Sequence, residues 1–179
     1  MICYRHCDPR FPFLLEAPAQ PGARWNANGD GPVQYLADSP DGAWAEFLRH
    51  EEITDSADLA GVRRAMWAIE LPELPPDRPR LRESQLLGGL ESYAACQAES
   101  RRLRARGAAG LTARSAALLP GGAHGWHVRG GATHAARARD GQTIVLFGPR
   151  DDLVGWCAAH EGRPEDRLLA RVRPLRARR

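Results

Sequence analysis

Lysine is missing altogether from this chain of 179 residues, so all 25 of its basic side chains are arginine. Every fixed cation is therefore a planar fork of donors that keeps its charge and matches phosphate oxygens in pairs. Such a fork suits a pyrophosphate ligand, although an Ala/Arg/Gly/Pro-rich composition equally reflects the base composition of a genome. Net charge is low as well, only +3, which argues against a domain-wide cationic field of the kind that draws nucleic acid. Cysteine is scarce, with four in all, at Cys3, Cys7, Cys96 and Cys157. Cys3 and Cys7 flank His6, but no second pair at finger spacing follows, so a structural reading outweighs a metal site. The chain start shows no charged segment followed by a long apolar one. No signal peptide is read there, and the expected setting is the cytoplasm, with free thiols. Neither an internal repeat nor a composition break divides the sequence.

What is present points to a globular chain. Hydrophobic residues make up 43% and charged residues 26%, a balance that suggests neither disorder nor a membrane protein. A chain of this length suits one domain, 1–179, able to bury about 70% of its unfolded surface. Ile2 to Arg5 reads as a short strand, followed by a loop with Pro9, Pro12, Pro18, Pro21 and Gly22 that delivers Arg24. After the turn residues 26–32, Val33 to Ala37 reads as a strand. Ser39 and Pro40 supply an N-cap and an N1 proline for a helix to about His50. On it Trp44, Phe47 and Leu48 share one face, and Glu46 lies off that stripe, where periodicity alone makes it a solvated side chain. A functional glutamate would sit on the same flank if a cleft opened there.

Further along, Ser56 to Arg64 reads as a short helix, Met66 to Leu71 as a strand, and Pro72, Pro75, Pro76 and Pro79 impose an extended crossing. Glu91 to Arg106 is the longest helix, stopped by Gly107. Thr112 to Leu118 is small and apolar. Gln142 to Phe147 is the clearest strand, buried on both faces. Asp151 to His160 reads as a helix and Leu168 to Arg173 as a last strand before an Arg-rich tail. The expected fold is α+β, a mixed β-sheet core with flanking helices, with roughly six strands and four helices.

Several residues invite chemistry. Ser115 has no Gly-x-Ser-x-Gly elbow around it, so a hydrolase nucleophile is not indicated. His124, His127 and His134 suggest ligands, yet the glycines among them suggest a flexible loop, better read as a lid than as a metal scaffold. Arginines 101, 102, 104 and 106 close a helix where positive charge complements the dipole, a solvated face first and a binding surface second.

Three segments in order carry a more specific signal: Ala23-Arg24-Trp25-Asn26, then Tyr35-Leu36-Ala37-Asp38-Ser39-Pro40 running on to Ala45-Glu46, and Leu111-Thr112-Ala113-Arg114-Ser115-Ala116. Over roughly residues 1–150 they resemble the RES family, named for its Arg, Glu and Ser, which fall here on Arg24, Glu46 and Ser115. That resemblance implies an ADP-ribosyltransferase-like fold and attack on the nicotinamide-ribose bond of NAD, in many members as toxins of toxin-antitoxin pairs. Cleaving that bond leaves an oxocarbenium-like ribosyl centre, so a carboxylate is needed beside it, as in glycoside cleavage. The resemblance gives Glu46 that role, Arg24 the hold on phosphate or ribose, and Ser115 the orientation of the nicotinamide riboside. Arg5 is a weaker second phosphate contact, and Trp25 and Tyr35 are candidate pocket walls. No metal is expected, and the implied partner is an antitoxin protein. Water, inorganic phosphate or a protein side chain could each accept the ADP-ribose, and the three residues do not discriminate among them. Two departures stand out: Trp25-Asn26 after Arg24, where some toxins carry a tyrosine, and the chain beyond residue 150. The alternative from another class is a non-catalytic module that keeps the scaffold and binds a partner or nucleic acid through its Arg-rich segments.

Overall fold

The computed structural model describes residues 1–14 and 20–176, which leaves Pro18 and the last three residues of the Arg-rich tail outside it. In chain order the elements are β1 (Ile2–Cys7), β2 (Val33–Ala37), α1 (Pro40–His50), β3 (Arg64–Glu70), α2 (Glu83–Leu87), α3 (Tyr93–Ala105), β4 (Gly110–Arg114), β5 (Trp126–Arg129), β6 (Ala132–Ala135), β7 (Gln142–Phe147) and β8 (Gly155–Gly162). Short 3-10 helices lie at Ser56–Gly61, Leu90–Ser92 and Asp166–Arg171. Six strands form one sheet in the order β4-β7-β2-β1-β3-β8, each neighbour antiparallel, and β5 and β6 form a separate hairpin. The α+β expectation holds. Among the described residues no helix is long and apolar enough to cross a membrane.

The alternation of side chains along each strand builds a core on both sides of the sheet. Ile144 and Leu146 of β7 pack with Leu36, Cys3 and Ile69 on one face. Val145 turns to the other, with Val33, Leu111, Trp25 and Leu103 of α3. Position in the middle of the β4-β7-β2 set explains why β7 reads as a continuous apolar run. Helix α1 starts where the sequence says it should: Ser39 Oγ accepts from Gly42 N at 3.1 Å, and Pro40 occupies the first turn. Its Trp44, Phe47 and Leu48 join Leu59, Met66, Leu118 and Leu168 in a third cluster.

Four expectations are corrected. Residues 151–160, expected as a helix, form a turn and then enter β8, Gly155–Gly162, which closes one edge of the sheet against β3. Leu153, Val154 and Trp156 imitate helical spacing, but Gly155 opens a strand whose outward residues are exposed, and Trp156 Nε1 donates to Glu70 Oε1 at 3.0 Å. Residues 168–173, expected as a strand, belong mainly to the 3-10 helix Asp166–Arg171, whose Leu168 is buried beneath α1. The expected helix over 56–64 is only a single 3-10 stretch, since β3 already begins at Arg64. Finally, the expected flexible loop over 121–134 contains the β5–β6 hairpin, turned by Gly130 and Gly131 at φ +59° and +76°, the positive values that a two-residue hairpin turn requires.

β1 matches β3 at six positions and β2 matches β7 at five, but β1 and β2 meet at only one, Tyr4 opposite Ala37. Beyond that pair the two central strands part, and the sheet is split along its middle.

Candidate active site in the split sheet

A cavity of about 530 Å³ occupies the split. Consecutive residues of β1, Tyr4 to Cys7, and of β2, Tyr35 to Ala37, line it. Side chains alternate between the faces of a strand, so a wall of consecutive residues means that the parted strand edges themselves face the cavity. On one side of the split Arg5 reaches across and donates to Gln34 Oε1 of β2 at 2.8 Å. Burial lowers the pKa of Arg5, though a guanidinium keeps its proton in a protein.

Helix α1 supplies the next wall with Ala43, Glu46, Arg49 and His50. These positions recur at steps of three and four, the spacing of one helix flank. The helix thus presents two stripes, the apolar one read from the sequence, which packs into the core, and this second one turned to the cleft. Glu46 is fixed from three sides. Thr143 Oγ1 of β7 donates to its Oε1 at 3.2 Å and Ser115 Oγ donates to the same oxygen at 3.4 Å. His50 Nε2 lies 3.9 Å from Oε2.

Ser115 itself is buried just past the end of β4, outside the cavity lining. Its oxygen accepts from the backbone N–H of Ala117 and of Leu118, both at 3.2 Å. A hydroxyl has two acceptor sites and one proton, so with both acceptors taken the proton is directed at Glu46.

The Arg24 segment is a tight turn closed by Ala23 N to Asn26 O at 2.8 Å. Two side chains hold it: Tyr35 Oη accepts from Trp25 N at 2.9 Å and donates to Asn26 Oδ1 at 2.7 Å, and Gln97 Nε2 of α3 donates to Ala23 O at 2.9 Å. Burial raises the pKa of the Tyr35 phenol well above its ordinary value, so it stays a donor. Trp25 lines the cavity but is only 2% exposed, packed mainly with Cys96, Leu103 and Leu111.

From this turn Arg24 enters the junction of α2 and α3. Its Nη1 donates to Gln85 O and Leu86 O, each at 3.3 Å, and to Ser92 Oγ at 2.9 Å. Its Nη2 donates to Gly88 O, and the guanidinium lies 5.0 Å from the Tyr93 ring centre. Carbonyls at the end of a helix lack intrahelical partners, and here Arg24 serves those of α2.

The structure therefore brings Arg5, Arg24, Trp25, Tyr35 and Glu46 to one cavity, with Ser115 directly behind Glu46. Sequence reasoning missed Thr143, Arg49, His50 and His6. Arg49 and His50 had a signal, three and four residues beyond Glu46. Thr143 had none, being one polar residue in an apolar strand. His6 stacks on Trp44 and meets Phe47 edge-on. Burial first, and then the charges of Arg64 and Arg5, push its pKa down to about 3.

Other sequence candidates lie apart. His127 and His134 stack at 5.7 Å within the hairpin, which contributes nothing to the cavity lining, and His124 N donates to Asp41 Oδ2 at 3.0 Å. Among the described residues no group of three or more His, Cys, Asp or Glu could hold a metal ion. The arginine-rich end of α3 is engaged within the chain: Arg101 pairs with Asp30, Arg102 with Glu99, and Arg104 donates to Asp30 O and lies over Phe147.

A model of the RES domain matches residues 2–151. Among solved structures, the fold is similar to a chain of the M. tuberculosis MbcT-MbcA toxin-antitoxin complex, at 17% identity and a TM-score of 0.60. The match covers 94% of this chain and 86% of that one. No curated protein matches the chain in sequence.

Proposed function

Because the chain belongs to the RES domain family, we propose that it consumes NAD by cleaving the nicotinamide-ribose bond, as the toxin of a toxin-antitoxin pair. The observation that carries this reading is the Glu46 carboxylate, held in the split of the sheet by Ser115 and Thr143 and faced by arginines. As the bond from the anomeric carbon to the pyridine nitrogen breaks, its electron pair leaves with nicotinamide, which departs neutral. The positive charge passes to the ribosyl ring, and Glu46 stabilises it electrostatically. An acceptor oxygen, from water, inorganic phosphate or a protein side chain, then bonds the anomeric carbon and gives up its proton. Ser115 and Thr143 act through Glu46, fixing its carboxylate before the charge develops. Tyr35 keeps the Arg24 turn in place, and Arg5, Arg24 and Trp25 wall the pocket for the dinucleotide. An antitoxin that plugs this opening is the matching partner, in keeping with the assembly in which the similar structure was solved.

The test is NAD loss by the purified chain with and without inorganic phosphate, with the products resolved and Glu46→Ala run alongside. The expected result is turnover that falls at least about 100-fold in the variant, with a melting temperature within a few degrees of the parent. Phosphate dependence would mark a phosphorylase, and its absence a hydrolase. Turnover unchanged by Glu46→Ala would overturn the assignment of the carboxylate. The alternative of a binding module on Arg-rich segments is the weaker reading, because the α3 arginines are engaged internally.

A further inference from the structure

Arg49 is 3% exposed, yet its side chain makes a single hydrogen bond among the described residues, from Nη2 to Gly88 O at 2.6 Å. Its Nε is buried without a partner among the same residues. A guanidinium carries five N–H donors, so most of those of Arg49 are unused, in a residue that lines the cavity. Arg24 differs: its Nη1 alone has three oxygen partners and a further contact to Cys96 Sγ at 3.7 Å. The two arginines share one carbonyl. Gly88 O accepts from both, and no side chain fits at Gly88, because a Cβ there would sit 2.6 Å from Ser84 O.

Charge accounting points the same way. Among the described residues neither Arg24 nor Arg49 forms an ion pair with a carboxylate. Glu46 acts on Arg49 through space only, and Glu91 spends Oε1 on Gly89 N. Two buried cations beside one carbonyl, with open donors on one of them, have Glu46 and Glu91 acting at a distance but no carboxylate in direct contact among the described residues. Burying charge unpaired is costly, and a bidentate oxyanion is what an arginine fork accepts best.

We propose that Arg49 is the residue that grips a phosphoryl oxyanion in the cavity, while Arg24 holds the α2–α3 junction that orients it. This rests on the NAD-cleaving reading and deepens it, since the direct phosphate contact passes from the arginine of the family pattern to one outside it. Either the pyrophosphate of the dinucleotide or free inorganic phosphate supplies that chemistry. Seen from Glu46, Arg49 lies one helical turn along the same flank, so an anion on Arg49 lies next to the carboxylate that faces the ribosyl centre.

The experiment compares the parent chain with Arg49→Gln and Arg49→Lys. Calorimetric titration with pyrophosphate and with inorganic phosphate is run alongside the KM for NAD and for phosphate, and circular dichroism checks the fold. An Arg49→Gln chain with KM for NAD and Kd for pyrophosphate raised about 10- to 100-fold, and kcat less affected, means that the dinucleotide's pyrophosphate is held. A rise confined to inorganic phosphate means that the free anion is held. Arg49→Lys keeps the charge but loses the fork, and should fall between the two; it also serves as the test if the Gln variant does not fold. Unchanged affinities for both anions in a folded variant would overturn the proposal. A parent chain that binds pyrophosphate through Arg49 but leaves NAD intact would instead count against the enzymatic reading alone.

Discussion

Two hydroxyls on one carboxylate oxygen differ in what else they do. Thr143 Oγ1 gives its proton to Glu46 at 3.2 Å, whereas Ser115 Oγ also accepts the backbone N–H groups of Ala117 and Leu118. Thr143→Val keeps the shape of the side chain and removes only the donor. It should lower kcat about 3- to 10-fold, the worth of one hydrogen bond, with little change in the urea midpoint. Ser115→Ala removes the donor and leaves the Ala117 and Leu118 N–H groups unpaired in a buried place. A loss of kcat accompanied by about 1–3 kcal/mol of stability is expected. Steady-state kinetics and urea unfolding on both variants separate the effects, and an unchanged kcat in Thr143→Val would show that Glu46 needs no second donor. From the sequence, Glu46 on the helix and Ser115 after β4 were legible only through the family pattern. Their contact spans 69 positions of sequence, and no local period reports it.

At the level of elements, the legible ones carried their own boundary chemistry. Ser39-Pro40 marks the start of α1, Gly107 at φ +79° ends α3, and the apolar run of β7 announces a central strand. Elements misread were those whose fate is set by neighbours. β8 is a strand because β3 offers it an edge, and the stretch after Glu165 coils into a 3-10 helix because Leu168 is needed under α1. Nor does any local signal report that β1 and β2 part after one pair, which creates the cavity. The same logic makes the turn at Arg24 an element held from outside. Tyr35→Phe takes away the acceptor of Trp25 N and the donor to Asn26 Oδ1. About 1–3 kcal/mol of stability should be lost, together with a higher KM for NAD as the turn loosens. Thermal unfolding and kinetics on this variant check both, and a KM equal to the parent's would mean that Gln97 and the Ala23–Asn26 closure hold the turn unaided.

For the whole molecule, the cost of a cationic cavity shows in how stability depends on pH. His6 sits on β1 between Trp44 and Phe47 of α1, with Arg64 Nη2 at 3.4 Å from its Nδ1. The groups acting on it are Arg64, Arg5 and His50, and none of them is an acid. Burial and these charges hold the folded pKa at about 3, against 6.5 when the ring is free in water. Between those values the unfolded chain carries a proton on His6 that the folded chain refuses, so stability rises with pH across the window. The contribution of His6 is fully present above pH 6.5 and is lost progressively as the pH falls towards 3. Carboxylates held low, such as Glu99 beside Arg102, add their own loss at the acid end, so the parent curve alone does not isolate the histidine. His6→Gln removes the titration and leaves the carboxylates. Unfolding free energies measured from pH 7 to pH 4 should fall more steeply in the parent, by up to about 1.4 kcal/mol per pH unit. Parallel curves would mean that His6 accepts its proton in the folded chain, with a counter-charge reaching it inside the cavity. Saturating pyrophosphate, by placing an anion on Arg49 in the cavity that His6 also lines, should shrink the difference between the two curves, because the bound anion offsets part of the repulsion that keeps His6 neutral.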